Sequence, residues 1–189
     1  MVDNFSLLRD LYAQHDSSEN DDSFLFGQIM GRKKDGARFV KSNNRIIKDL
    51  VFRSPEDFDK KKEEIIEICE MFGARAYVNV NPRSYKEVCI EMAGLCLDHI
   101  RKGSECASRT AFATTCGRIK PKNGYWVIDV DNLEELADVS SMVPTAYLVV
   151  PTVNGAHIIS GGFDLRELRQ KFPDVDIHKN NPTLLYFNS

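Results

Sequence analysis

Two carboxylates stand two residues apart in the apolar run YWVIDVDN, residues 125–132. In an extended chain, residues two apart project to one face, about 6.5 to 7 Å apart along the strand. Asp129 and Asp131 therefore point together and can converge on one or two divalent ions. Oxygen donors of this kind suit Mg2+ or Mn2+. A plainer reading also fits, with Asp129 facing solvent at a sheet end and Asp131 helping to cap the next helix. Downstream, Asn154-Gly155 favours a two-residue type I′ turn, which pairs Val153 with Ala156 and sets Thr152 opposite His157 on one face. The hydroxyl of Thr152 beside the imidazole of His157, near a tight glycine-containing turn, makes a phosphate-binding arrangement, while a lone histidine in the apolar strand AHIIS also reads as a structural residue. A third acid comes from the short alternation Val175 to Ile177, which carries Asp176. Asp174, directly after Pro173, reads as a turn residue. His178 and Lys179 follow; they read as exposed polar loop residues or as further phosphate contacts.

The elements that must position these groups are legible in the pattern. After a first helix within residues 1–12, residues 14–23 are polar and acidic and read as a mobile loop. Phe24 to Met30 and Ala37 to Lys41 read as a hairpin around the turn-rich Gly31 to Gly36. Ser54-Pro55-Glu56-Asp57 has the signature of a helix start, and Gly73 that of its stop. Ala74 to Asn81 alternates as a strand, and Ser84 with Glu87 caps a second helix running to about Lys102. Thr110 to Thr115 reads as a short strand and Gly124 to Asp131 as a stronger one. Asn132 and Glu135 cap a short helix ending near Asp138. Ala146 to Val153 and Ala156 to Ser160 form an antiparallel pair, Asp164 and Glu167 open a helix to Phe172, and Thr183 to Phe187 closes as a strand. Alternating helices and strands with at least one antiparallel pair predict an α+β fold, a mixed and largely antiparallel sheet covered by helices. Residues 1–73 form an N-terminal helix and hairpin region packing on a core over residues 74–189, one compact domain overall.

Length and composition narrow the function classes. A chain of 189 residues, 42% hydrophobic, can bury one substantial core. No run approaches the roughly 20 apolar residues that span a bilayer, so a soluble, cytoplasmic protein without membrane partners is expected. Five scattered cysteines fit a reducing compartment better than a disulfide framework. Cys96, His99 and Cys106 could ligate zinc, but the apolar helical spacing around Cys89 and Cys96 favours core packing. The net charge of −3 argues against indiscriminate nucleic-acid binding. Its distribution is uneven, since Arg32, Lys33, Lys34, Arg38, Lys41, Arg45, Lys48 and Arg53 face only Asp35 and Asp49 in that segment. Such a patch meets phosphates or is simply a solvated surface.

The order of the motifs carries a resemblance. VIDVD with Asp129 and Asp131, NGAHIIS with His157, and Val175-Asp176 resemble the metal, histidine and later-acid motifs of the archaeo-eukaryotic primase, or primase-polymerase, superfamily. RAYVNVNPR, residues 75–83, resembles the strand preceding those motifs, so the likeness covers residue 74 to the C-terminus. The family usually has serine where Gly155 stands, before the histidine. The resemblance implies a metal-dependent nucleotidyltransferase of DNA replication, compact as in a phage or mobile element. Asp129, Asp131 and Asp176 would be catalytic metal ligands for Mg2+ or Mn2+, and His157 would steady a nucleoside triphosphate. Thr152, Asn154, Lys179 and Arg83 would contact substrate. Single-stranded nucleic acid would lie along Arg32, Lys33, Lys34, Arg38, Lys41 and Arg45. The alternative is a non-catalytic module that binds nucleic acid or a protein on a degenerate primase-like sheet. A transferase that uses D-x-D to hold a nucleotide sugar is a third class.

Overall fold

A computed structural model describes residues 1–15, 22–38, 41–104, 108–121 and 124–188. In chain order the elements are β1 (Val2–Asp3), α1 (Phe5–His15), β2 (Ser23–Arg32), a 3-10 turn (Lys33–Asp35), β3 (Asn44–Phe52) and α2 (Glu56–Phe72). They continue with β4 (Arg75–Val78), β5 (Arg83–Ser84), α3 (Tyr85–Arg101), α4 (Ser108–Arg118), β6 (Trp126–Val130) and α5 (Leu136–Ser141). The last are β7 (Ala146–Pro151), β8 (Ala156–Ser160), α6 (Arg166–Lys171), β9 (Asp176–His178) and β10 (Thr183–Phe187). The fold is α+β. Among the described residues, no helix is long and apolar enough to cross a membrane.

The strands form two sheets rather than the single mixed sheet expected, and every pairing is antiparallel. The larger runs β1-β10-β4-β2-β3, with β5 also on β2; the smaller runs β7-β8-β6-β9. Residues 1–73 thus supply β1, β2 and β3 to the same sheet as β4 and β10. Alternation gives β2 two faces. Leu25 and Ile29 enter the main core with Phe52, Phe58, Ile65 and the α1 residues Phe5 and Leu8. Phe24 and Phe26 point the other way, into a cluster with Val88, Phe112 and Cys116 beneath α3 and α4. In the smaller sheet, Ile128, Val130 and Ile158 pack on Val139 of α5 and Leu168 of α6.

Several local expectations hold for their stated reasons. The Ser84 Oγ accepts from the Glu87 N–H at 3.1 Å, and Asp164 Oδ1 accepts from the Arg166 N–H at 3.1 Å. Gly73 closes α2 at φ 60°, its N–H on the Cys69 carbonyl. Two expectations are corrected. The partner of β2 is β3, Asn44–Phe52, not Ala37 to Lys41; Phe39 and Val40 lie outside the described residues, as does most of the expected loop over residues 14–23. The many charges of β3 belong to an edge strand, where they discourage pairing with another chain. Thr110 to Thr115 is helical, within α4. Its β-branched composition is outweighed by packing, because Phe112 and Cys116, four apart, both reach Phe24.

Candidate functional site

Strand β6 has a neighbour on each side, β8 and β9, and its register aligns the residues of interest. Asp129 is directly opposite His157 on β8 and directly opposite Asp176 on β9. Cross-strand partners share a face, so the two acids and the imidazole stand in one row, with Asp131 two residues further on the same side. Ile128 and Val130 are buried on the opposite face against α5 and α6, which fixes this orientation, since a one-residue slip would bury the carboxylates. His157 Nε2 lies 3.3 Å from Asp129 Oδ1, and its Nδ1 is 2.8 Å from the Thr183 Oγ1 of β10. The imidazole therefore bridges the two sheets. Its hydrogen bond holds the Asp129 carboxyl below the usual carboxylate range, against the opposing effect of partial burial, and the charges of His157 and His178 add to it.

The larger sheet supplies the opposite wall. Arg32, Arg75, Tyr77 and Leu184 line the same cleft as Asp129, Asp131 and His157, a volume of about 350 Å³. Its cations are braced. Arg75 donates from Nε and Nη2 to the two Asp35 carboxylate oxygens, both at 2.7 Å, and Arg32 donates from Nη1 to the Tyr77 hydroxyl at 2.9 Å. Arg32 Nε is 3.6 Å from the same Asp35. Carboxylates thus stand on one wall and guanidinium groups on the other.

Thr152, Asn154 and His157 all line the cleft, but not through the expected turn. The last ladder pair is Pro151 with Ala156, so Val150, not Thr152, opposes His157. Residues 152–155 form a four-residue turn, with Thr152 N–H donating to the Gly155 carbonyl at 2.9 Å and Gly155 N–H to Thr152 Oγ1 at 3.1 Å. The Thr152 hydroxyl competes for the backbone and closes the turn itself. Gly155 is not in the left-handed region a type I′ turn requires. Its lack of a side chain answers a close approach instead, because a Cβ there would lie 1.9 Å from the Val130 carbonyl oxygen.

Two expected contacts lie elsewhere. Lys179 follows His178 and, by alternation, leaves the cleft; its ammonium sits 5.0 Å from the Trp126 ring centroid, while His178 lines the cleft. Arg83 is 1% exposed and lines a different cavity, because pairing of β5 with β2 places it opposite the buried Phe24. The basic segment divides. Arg32 and Lys34 line the cleft, Lys33, Arg38, Lys41 and Arg45 are exposed, Lys48 pairs with Glu64, and Arg53 lies 4.0 Å over Tyr85. Arg75, Tyr77 and Thr183 were not singled out from sequence; the alternation of RAYV places Arg75 and Tyr77 on one face, but nothing local says which.

The donors around Asp129 are hard oxygens on one face, as Mg2+ or Mn2+ prefers. Among the described residues, however, no three His, Cys, Asp or Glu side chains are gathered as a metal-holding group. Asp129 leans on His157, and Asp176 is exposed on the edge strand β9. Cys106, of the alternative zinc trio, lies outside the described residues, and His99 contacts Ser104. No protein-family model, no curated protein and no solved structure matches the chain.

Proposed function

We propose that the two sheets form a primase-polymerase-like core whose cleft binds a nucleoside triphosphate and transfers its nucleotidyl group to a 3′-hydroxyl on a nucleic-acid template. The observation that supports it is the division of charge: Asp129 and Asp131 on one wall, Arg32, Lys34 and Arg75 on the other, with His157 between the sheets. In this reaction the 3′-oxygen bonds to the α-phosphorus as the bond to pyrophosphate breaks, and charge grows on phosphate oxygens. Preorganised cations stabilise such charge because they need not reorient. Asp35 holds Arg75 in place with two hydrogen bonds, and Thr183 fixes the His157 ring so that Nε2 faces the cleft. Thr152 and Asn154 close the end of the site at the turn. Asp129 and Asp131 would hold Mg2+ or Mn2+, with Asp176 next on the same face, and the ion would supply charge neutralisation at the reacting phosphate.

The test is manganese-dependent extension of a primed single-stranded template. Wild type should incorporate nucleotides, and the double substitution Asp129→Ala with Asp131→Ala should lower the rate by at least about 100-fold. Incorporation that survives in the double variant overturns the assignment. Template binding without incorporation by wild type favours a binding module instead.

A further inference from the structure

Beside the cleft, across Tyr77 and Pro182, lies a second cavity of about 230 Å³ on the same side of the larger sheet. Its wall contains a cation, Arg83, that has no counter-ion among the described residues. Arg83 donates to the Cys116 carbonyl, to the Asn81 carbonyl at 2.8 Å and to Asn180 Oδ1 at 2.9 Å. All three acceptors are neutral, and among the described residues no carboxylate lies within ion-pair distance of this guanidinium. The Cys116 carbonyl belongs to the last turn of α4, whose aligned peptides offer at most about half an elementary charge. The Cys116 thiol adds none, since burial pushes its pKa up to about 12. Asp49, opposite Gln28 in the ladder, accepts from Gln28 Nε2 at 2.9 Å.

An arginine withdrawn from water without a counter-ion is costly. A guanidinium has five N–H donors; three serve these carbonyls, and one on each of Nη1 and Nη2 remains. The planar fork of arginine matches the oxygens of a carboxylate or phosphate. Phe26, Met30 and Pro182 give the cavity an apolar side, while Asn79 and Asn180 add amides. The volume lies below the roughly 300 to 1,000 Å³ of common ligand pockets, which favours a compact molecule. We propose that this cavity is a separate binding site for a small oxyanion-bearing ligand, a carboxylate or phosphate monoester with a short apolar body, whose charge is met by Arg83. The site is independent of the nucleotide reading of the neighbouring cleft.

Gly117 provides a clean way to close it. It lines this cavity and not the Asp129 cleft, and a Cβ added there meets no atom within 4 Å. Thermal unfolding of wild type is followed against inorganic phosphate and, separately, acetate, each compared with chloride at matched ionic strength. A saturable rise of a few degrees in Tm is expected with one or both, the stronger arm naming the headgroup. Gly117→Leu should keep its circular dichroism and lose the rise, and so should Arg83→Met if it folds. A flat response of wild type to both anions overturns the proposal. So does a rise that persists in Gly117→Leu, which would place the anion in the arginine-lined cleft or on the general surface.

Discussion

The two sheets meet at His157 and Thr183 yet are built on different scales. The larger lays one face on a continuous core with α1 and α2, in which Phe52 and Phe58 stack at 4.2 Å, and its other face carries the braced cations Arg32 and Arg75. The smaller lays one face on a modest cluster around Ile128 and Ile158, and its other face turns Asp129 and His157 to the cleft while Val127, Val150 and Ile159 join the main core. The larger sheet is therefore the scaffold, and the smaller one, with only a small cluster of its own on the face under α5 and α6, is where the geometry of the site is most easily disturbed. Every substitution below acts on the smaller sheet, so each asks whether damage there spares the larger.

The largest effect is expected at Gly155. Serine at this position forces β8 and the end of β6 apart, because the atoms it meets are backbone. Gly155→Ser should cost about 3 kcal/mol. Amide hydrogen exchange should quicken in β6 and β8 well before β2 and β4; equal loss of protection in both sheets would show that they unfold as one unit. A serine side chain does not fit this backbone, so the glycine here is a steric requirement of the turn.

A smaller effect attaches to acid. Asp129 titrates below its ordinary range because of His157, so in the folded state the ionised form is favoured. Its contribution is present above the ordinary carboxylate pKa of about 4 and is lost as pH falls through the lowered folded value. Measured in EDTA, the stability difference between wild type and Asp129→Asn should shrink as pH drops below about 4. A difference that stays constant as the pH falls further, through the acid range below about 4, would mean that the Asp129–His157 contact contributes nothing to folding.

The smallest effect is a gain. Ser160 Oγ on β8 is fully buried and has no hydrogen-bond partner among the described residues. Ser160→Ala should raise the denaturant midpoint by the equivalent of about 1 kcal/mol. A loss of stability would instead reveal that the hydroxyl is satisfied in solution.

Local chemistry made much of this legible. The cap of α3 by Ser84, the stop of α2 at Gly73, and the bounds of β8 and β10 follow from residues within a turn of the feature they set. The period of two in VIDVD placed Asp129 and Asp131 on one face, and no tertiary information was needed for that. Where two local signals competed, the sequence misled. Asn154-Gly155 carries the composition of a two-residue turn, but the Thr152 hydroxyl and the close approach of Val130 produced a longer one. Threonines in α4 carry strand propensity, but the packing of Phe112 on Phe24 and Phe26 decided otherwise.

The sequence by itself determined which side chains could work as a group within each strand, because alternation is a property of the extended backbone. Tertiary structure alone decided which strands became neighbours. The pairing of β6 with both β8 and β9 put Asp129 between His157 and Asp176, residues 28 and 47 positions away. The approach of the second sheet brought Arg75 to the same cleft and Thr183 to the His157 ring, and the pairing of β5 with β2 sent Arg83, whose charge alone suggested a surface contact, into the interior. Register and burial are set by long-range apolar packing, and a string of residues does not display which of its faces will find a partner.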